Sequence, residues 1–521
     1  MSRGTKGPAV TPATPSLADI PSSIEELDCY SGLFSATAVV YTPKNEEQLK
    51  RIFAFARQEE RRVTLRAGGH SFDSQALGAD IVISMRAMNG IELLEGERKM
   101  VVGPGATWGA ILGELEPRGL VPAVTVTTEH ATAGGTLAGD CLSRFSTAWG
   151  KQGAWIESFR LLAPSGESIT CKRPSPGKAP ESWTLGERAF AGAIGGLGYL
   201  GVVVSITQRL LYTGQTERRI GVSSRVQKCR TFEALAEKLV PAARKADLQQ
   251  SDPLDPDKED ALYAALLIRG KKGRTKKRYA LFFESAYTTR PERRRMALHR
   301  PRSPIRVPVE WLMRVHWISW LLWPLIFRFA YSDKKLYIDD LEGYSFFVDG
   351  NVRAKRWAKR FGRSLKTIQQ TFVVPCPPEG DPAWPGAQKR LVMWLDGAHE
   401  VLVAHNLSPT LLDVLYLPKD NPFLLSATGR EAGFAVSYAI ETNSSRDLEL
   451  AKQAFSRLSD LLLNEPFRGR VYLVKNVFAR ASTLRAMYGD DYASFMSLKA
   501  ELDPDGLLRN DFLERTFGPP G

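Results

Sequence analysis

Four short segments of this 521-residue chain concentrate glycine where a backbone has to come close to another group. The first is Arg66-Ala67-Gly68-Gly69-His70-Ser71-Phe72. A Gly-Gly turn behind a strand lets backbone N–H groups converge on an anion, because no Cβ blocks the approach. The same turn carries an imidazole, His70. The second segment runs Thr132-Ala133-Gly134-Gly135-Thr136-Leu137-Ala138-Gly139-Asp140 and the third Gly150-Lys151-Gln152-Gly153-Ala154-Trp155-Ile156. The fourth, Ala193 to Gly201, contains Gly195, Gly196, Gly198 and Gly201. Small residues at this density mean close approach to something flat or anionic. Any one of the four could be a set of tight turns; in this order they form a pattern. Glu129 and Asp140 could orient a ligand, and Asp140 could equally cap its turn. His130, just before the second segment, fits either the site or a surface loop.

Positioning these turns requires short strands and helices in alternation. Asn45 to Arg61 has helical periodicity and Val63 to Arg66 reads as a strand leading into the first glycine pair. Ile81 to Met85 and Lys99 to Val102 are β-rich. Thr107 to Arg118 reads as a helix with Thr107 as N-cap. Ile156 to Ala163 and Val202 to Leu211 read as strands, with Pro164-Ser165-Gly166 as a hairpin turn. The irregular spacing argues for an α+β fold over a doubly wound sheet. No Gly-x-Gly-x-x-Gly follows the first strand, which disfavours a nicotinamide-binding Rossmann domain.

Beyond residue 213 the composition changes. Strands are expected at Tyr279 to Phe283, Thr371 to Pro375, Leu391 to Leu395 and Phe434 to Ile440, and the last fifty or so residues return to helix. The five cysteines are odd in number and far apart, so a disulfide scaffold or zinc site is not expected and a reducing, cytoplasmic compartment is the default. His399 and His405 are read as flanking a strand without a spaced partner, so no metal site is assigned. Residues 1–16, rich in Thr, Pro and Gly, lack a signal-peptide core and read as part of a disordered lead-in.

The net charge of +13 is concentrated: residues 269–302 hold thirteen Lys/Arg against two Glu. Such a run is a solvated loop or, more sharply, a patch for an anionic membrane face or a phosphorylated substrate. Nucleic acid is not expected, since no aromatic-basic interleaving accompanies it. Residues 315–327 then contain no charged side chain. That is too short to span a bilayer. Trp317, Trp320, Trp323 and Phe327, flanked by arginines, suit a segment 311–331 lying in the membrane interface, or a buried core helix.

The glycine segments, taken together, resemble the flavoproteins of the vanillyl-alcohol oxidase and p-cresol methylhydroxylase (PCMH) type over roughly residues 35–212 and the C-terminal segment. The resemblance implies a two-part PCMH-type FAD-binding domain over residues 31–212, behind a lead-in at 1–30. A strand-rich α+β substrate domain would cover 213–470, with an insertion at 269–335, and residues 471–521 would complete the flavin site. FAD is the implied cofactor. The resemblance places Arg66, Ala67, Gly68, Gly69, His70, Ser71 and Phe72 at its pyrophosphate. Thr132, Gly134, Gly135, Ala138, Gly139 and Asp140 would lie beside the flavin. Gly150, Gly153 and the backbone of Ile156 would meet it, and Gly196 and Gly201 would close the domain. In several sugar and alditol oxidases of this type the loop histidine is bonded to the flavin, so a covalent link through His70 is expected as one form and a dissociable FAD as the other.

Within that group the pattern is most similar to the decaprenylphosphoryl-ribose oxidases, through Gly469 to Lys475, Met487-Tyr488, Asp503-Pro504 and Ile368 to Pro375. The similarity implies Lys475, Gln369 and Tyr488 as catalytic residues, with Lys475 beside the flavin N1/C2=O, where a cation steadies the anionic reduced ring. Leu142, Thr371 and Ala435 depart from that pattern, so its binding machinery carries over better than its substrate pocket. The implied activity is oxidation of a CH–OH group of a small-molecule or lipid-linked sugar by hydride transfer to flavin N5. A soluble sugar-lactone or alditol oxidase with covalent FAD and O₂ is the alternative. A sterol-type C=C reductase and a redox-inactive, membrane-associated flavin protein are more distant. Peripheral contact with the inner face of the membrane and a reductase partner are further expectations.

Overall fold

The computed structural model describes residues 15–213, 220–248, 260–267, 279–288, 336–346, 349, 366–376, 386–409, 411–419, 423–429 and 431–518. The tryptophan-rich segment, and the basic run apart from the strand within it, lie outside those residues. The architecture is α+β. A four-stranded sheet orders Ser22–Asp28, Ser35–Tyr41, Ile81–Ser84 and Val63–Arg66, the last two joined in parallel. The helix Glu46–Gln58 covers it by burying Leu49, Ile52, Phe53 and Ala56 at helical spacing. Asn45 caps that helix, its side chain accepting from the Gln48 N–H at 3.0 Å.

A five-stranded antiparallel sheet follows, in the order Ile91–Leu94, Lys99–Val102, Val202–Arg209, Ile156–Leu162 and Ser168–Lys172. The turn through Gly166, whose φ is +93°, does close a hairpin, with Ser168–Lys172 as the return strand. That strand escaped the sequence reading because only Ile169 and Cys171 of its five residues face inward. Thr107 caps the helix Trp108–Leu115 as expected.

The larger sheet has eight strands. Its central members are Ala261–Leu267, Leu411–Leu417, Gly433–Thr442 and Lys366–Pro375, with Arg470–Val471 at the edge, and every recorded pairing is antiparallel. Side chains alternate between its two faces. On Lys366–Pro375, Phe372 packs against Trp394 and Phe455 of two covering helices, with ring centroids 5.3 and 6.2 Å apart, and Gln370 donates to Ser459. Gln369 and Thr371 therefore fall on the opposite face.

One expectation is overturned here. Leu391 to Leu395 is not a strand but part of the helix Ala387–Ala404, which also carries His399. Its buried positions, Arg390, Leu391, Trp394, Leu395, Ala398 and Leu402, follow the helical period. The apolar run Leu391-Val392-Met393-Trp394-Leu395 imitates a buried strand when read alone. Met393, 37% exposed in its middle, shows which period wins.

The C-terminal helices Ala481–Leu502 and Asp511–Phe517 return to the first sheet. Val63 donates to Leu507 O at 2.8 Å, and the buried Lys499 bonds Asp503 at 2.8 Å and the carbonyls of Tyr199 and Leu508. The five cysteines are free thiols. Among the described residues no helix is long and apolar enough to cross a membrane, and no group of His, Cys, Asp and Glu is arranged to hold a metal.

Candidate functional site

A cavity of about 290 Å³ lies between the smaller sheets and the bare face of the eight-stranded sheet. Its first wall is the loop after Val63–Arg66. Gly69 has φ +72°, and a Cβ there would lie 2.5 Å from the Arg66 guanidinium. Arg66 itself does not line the cavity; it pins the loop from behind by donating to Asp28 O at 2.9 Å and Ala76 O at 3.2 Å. A Cβ on Gly68 would meet His130 O at 2.7 Å, so the two glycine segments touch through backbone. Ala67, Gly68, Gly69, His70, Ser71 and Phe72 all line the space. The His70 ring stacks on His130 at 5.8 Å.

The second wall is the turn and short helix Ala133–Ala138, capped by Thr132. Gly134 packs on Pro104, where a Cβ would approach to 2.6 Å, and Gly139 packs on Val474, where it would approach to 2.9 Å. Thr132, Gly134, Gly135, Ala138 and Gly139 line the cavity, and Gly201 joins them from the fourth segment. Asp140, Gly150, Gly153, Ile156 and Gly196 lie outside the lining. Asp140 is buried, ion-pairs with buried Lys151 at 2.6 Å and accepts from the Gly153 N–H at 2.9 Å. Lys151 in turn donates to Ser426 at 2.7 Å. These residues hold the wall in place from behind.

The third wall combines the sheet face with the C-terminal segment. Gln369 and Thr371 line it from Lys366–Pro375, Ser437 from Gly433–Thr442, and Asp413 and Leu415 from Leu411–Leu417. Asp413 pairs in register with Ser437 and Ser437 with Thr371, so one row of polar side chains crosses three strands. The two hydroxyls bond each other at 2.6 Å. Segment 472–476 runs alongside: Tyr472 donates to Thr371 O at 2.9 Å and Asn476 to Gln369 O at 2.8 Å.

Lys475 lines the cavity beside this row, its Nζ 4.0 Å from the centre of the Phe72 ring. Gln75 fixes its backbone, donating to the carbonyls of Leu473 at 2.8 Å and Lys475 at 3.0 Å. Burial pulls the Lys475 ammonium down to about 8, against the opposing pull of Cys141 and Asp413. Burial raises Asp413 to about 6, opposed by Arg144 and Lys475. Burial also raises the Cys141 thiol to about 11, so it stays protonated at neutral pH. Tyr488 is buried behind the site, donating to Val471 O at 2.7 Å beneath the Arg470 guanidinium, and does not line the cavity.

Sequence reasoning did not reach Asp413, Ser437, Cys141, Arg144, Tyr472 or Gln75. For Asp413 a signal exists: it is a lone acid in the apolar strand Leu411–Leu417, and a charge in such a place needs a reason.

The lining fits a large, flat ligand with an anionic tail. One wall is glycine-edged backbone and the other carries a cation. Ser71 Oγ is buried and has no hydrogen-bond partner among the described residues, so a ligand group would satisfy it. Residues 37–172 match the family described as FAD binding domain. This part of the chain is an FAD-binding domain. The match includes the first two glycine-edged walls, while Gln369, Asp413, Ser437 and Lys475 lie outside it. The bovine (Bos taurus) L-gulonolactone oxidase is 26% identical over 168 residues, which is 32% of this chain and 36% of that protein. An FAD-dependent monooxygenase of Arthrobotrys oligospora is 23% identical over 181 residues, 34% of this chain and 33% of that protein. The chain thus spans about a third of the length of these curated relatives.

Proposed function

We propose that this chain is an FAD-linked oxidoreductase that oxidises a CH–OH group of a polyhydroxylated molecule, a sugar, sugar lactone or lipid-linked sugar. The observation that carries this reading is the polar row Asp413–Ser437–Thr371, with Gln369 and Lys475 beside it, facing the glycine-edged walls across one cavity. Bound FAD would supply the two-electron acceptor. The rest falls to the chain's own side chains. Gln369, Thr371 and Ser437 offer hydrogen bonds to several hydroxyls at once. Lys475, held through its carbonyl by Gln75, offers a cation to charge that develops beside it. The 26% identity to a protein named L-gulonolactone oxidase favours a sugar lactone among these substrates.

His70 lines the cavity, which favours a second element of the reading: a covalent bond from its imidazole to the flavin, with O₂ as electron acceptor. With dissociable FAD, a lipid-linked sugar and a reductase partner fit better. The test is the absorption spectrum of the purified protein before and after acid precipitation, then anaerobic mixing with L-gulonolactone, hexitols and glycosyl phosphates. A yellow pellet supports the His70 bond and a yellow supernatant rules it out. Loss of the visible flavin band with one of the compounds supports CH–OH oxidation; a band that no member of the panel bleaches contradicts it.

A further inference from the structure

The row of side chains on the sheet face contains one group whose chemistry the reading above leaves unused. Asp413 sits mid-strand with Leu412 and Val414 turned to the other face and buried. Its neighbours across the sheet are Ser437 on one side and Ala265 on the other. Among the described residues no donor hydrogen-bonds its carboxylate. The charged groups acting on it are Arg144, from the loop after the second glycine segment, and Lys475, from the C-terminal segment. Tyr263 lines the cavity from the strand beyond, with the Arg144 guanidinium 4.1 Å above its ring. A half-buried carboxylate without an internal donor, opening on a cavity, is costly to the fold unless a ligand uses it.

We propose that Asp413 takes the proton of the substrate hydroxyl as the carbon bearing it is oxidised. The proposal rests on reading the site as one for CH–OH oxidation. The balance is complete. The O–H bond breaks with its proton passing to the carboxylate, and the C–H bond breaks with its electron pair leaving as hydride. The C=O bond forms, and the two electrons are accepted by oxidised FAD. Four other lining groups fit the task less well. Cys141 stays a thiol, Lys475 stays an ammonium through neutral pH, and Thr371 and Ser437 are already bonded to each other. Those two hydroxyls, beside the carboxylate, would hold the adjacent hydroxyls of a polyol and bring one O–H to Asp413. This predicts a preference for substrates with vicinal hydroxyls.

The experiment compares FAD-loaded wild type with Asp413→Asn and Asp413→Glu. L-gulonolactone and the hexitols are the probes, anaerobic flavin reduction is followed across pH, and infrared spectra record the carboxyl stretch of the FAD-free protein across the same range. The expected result is that Asp413→Asn takes up FAD normally but reduces it roughly 10²–10⁴-fold more slowly, without the rise with pH near 6. Asp413→Glu should keep part of the rate and the pH dependence. A carboxyl band titrating near 6 should be present in wild type and absent from Asp413→Asn. Wild-type rate and pH profile in Asp413→Asn would overturn the role of Asp413 alone. If Asp413→Asn fails to fold, a pH-independent rate in wild type or no titrating band overturns it. Wild type that none of the probes reduces would overturn the CH–OH reading beneath it, a distinguishable failure.

Discussion

The two sides of the cavity are built on opposite principles. The FAD-binding side presents mostly backbone: Gly68, Gly134 and Gly139 let neighbouring segments meet at distances no Cβ allows, and three of its charged residues, Arg66, Asp140 and Lys151, lie outside the lining and brace it, while Arg144 lines the cavity. The eight-stranded sheet presents side chains: a carboxylate, two hydroxyls and an amide, with an ammonium beside them. The lesson is a division of labour. A constant cofactor can be held by backbone geometry, where side chains would only obstruct. A substrate has to be distinguished and deprotonated, which needs side chains with tuned charge. The two sides should therefore fail differently when altered.

The largest effect is expected at the brace. Asp140→Ala leaves the Lys151 ammonium buried without its carboxylate and should cost about 3–5 kcal/mol, measured by denaturant unfolding. FAD binding should fall with stability, because the wall and the fold are the same structure there. On the other side, Lys475→Met should leave folding and FAD uptake intact and slow flavin reduction by roughly 10²–10³-fold, a loss like that of one preorganised charge-stabilising donor. If Lys475→Met abolished FAD uptake, the division between the sides would be broken.

The pH dependence sharpens the comparison. Asp413 works unprotonated, so the rate should rise as pH climbs through about 6. Lys475 works as the ammonium, so the rate should fall as pH passes about 8, giving a bell in kcat/KM between the two. The sign for stability is the reverse. Burial raises Asp413 above its ordinary 3.8, so the folded state holds the proton more tightly than the unfolded chain. Its ionised form costs stability above about pH 6, and that cost is relieved as pH falls toward 4. Asp413→Asn should therefore be the slower enzyme and, at neutral pH, the more stable protein by on the order of 3 kcal/mol. A thermal melt at pH 7 and at pH 5 checks this, with the gap narrowing at the lower pH.

The smallest effect is expected at Ser71. Among the described residues its buried hydroxyl has no partner. Ser71→Ala should weaken FAD by about 0.5–1.5 kcal/mol with no change in the pH profile, measured by equilibrium titration of FAD into the cofactor-free protein.

The same contrast governs what the sequence discloses. Backbone sites leave glycines in consecutive positions, so the walls at 67–72 and 132–139 could be read directly, and so could the helix cap Thr107. The polar row could not. Thr371, Asp413 and Ser437 come from three strands and become neighbours only through antiparallel register, which no local pattern encodes. Lys475 and Gln369 were reached by resemblance to other flavoproteins. What fixes Lys475, a hydrogen bond from Gln75 about four hundred residues earlier, was beyond reach. Asp140, Gly153 and Tyr488 are assigned to the site by that resemblance. The structure places them one layer behind, where an Asp–Lys pair and a Tyr–Arg contact serve the frame. The strand expected at Leu391 to Leu395 failed for a related reason: a five-residue apolar run carries too little period to separate a buried strand from one flank of a helix.

The most direct measurement is anaerobic mixing of the FAD-loaded protein with a polyol or sugar lactone, once with hydrogen and once with deuterium on the carbon bearing the hydroxyl. The account predicts that the visible flavin band disappears and that deuterium slows its disappearance several-fold, because that C–H bond breaks as the hydroxyl proton is taken up. A flavin that keeps its colour, or one that loses it at the same rate with either isotope, would contradict the account.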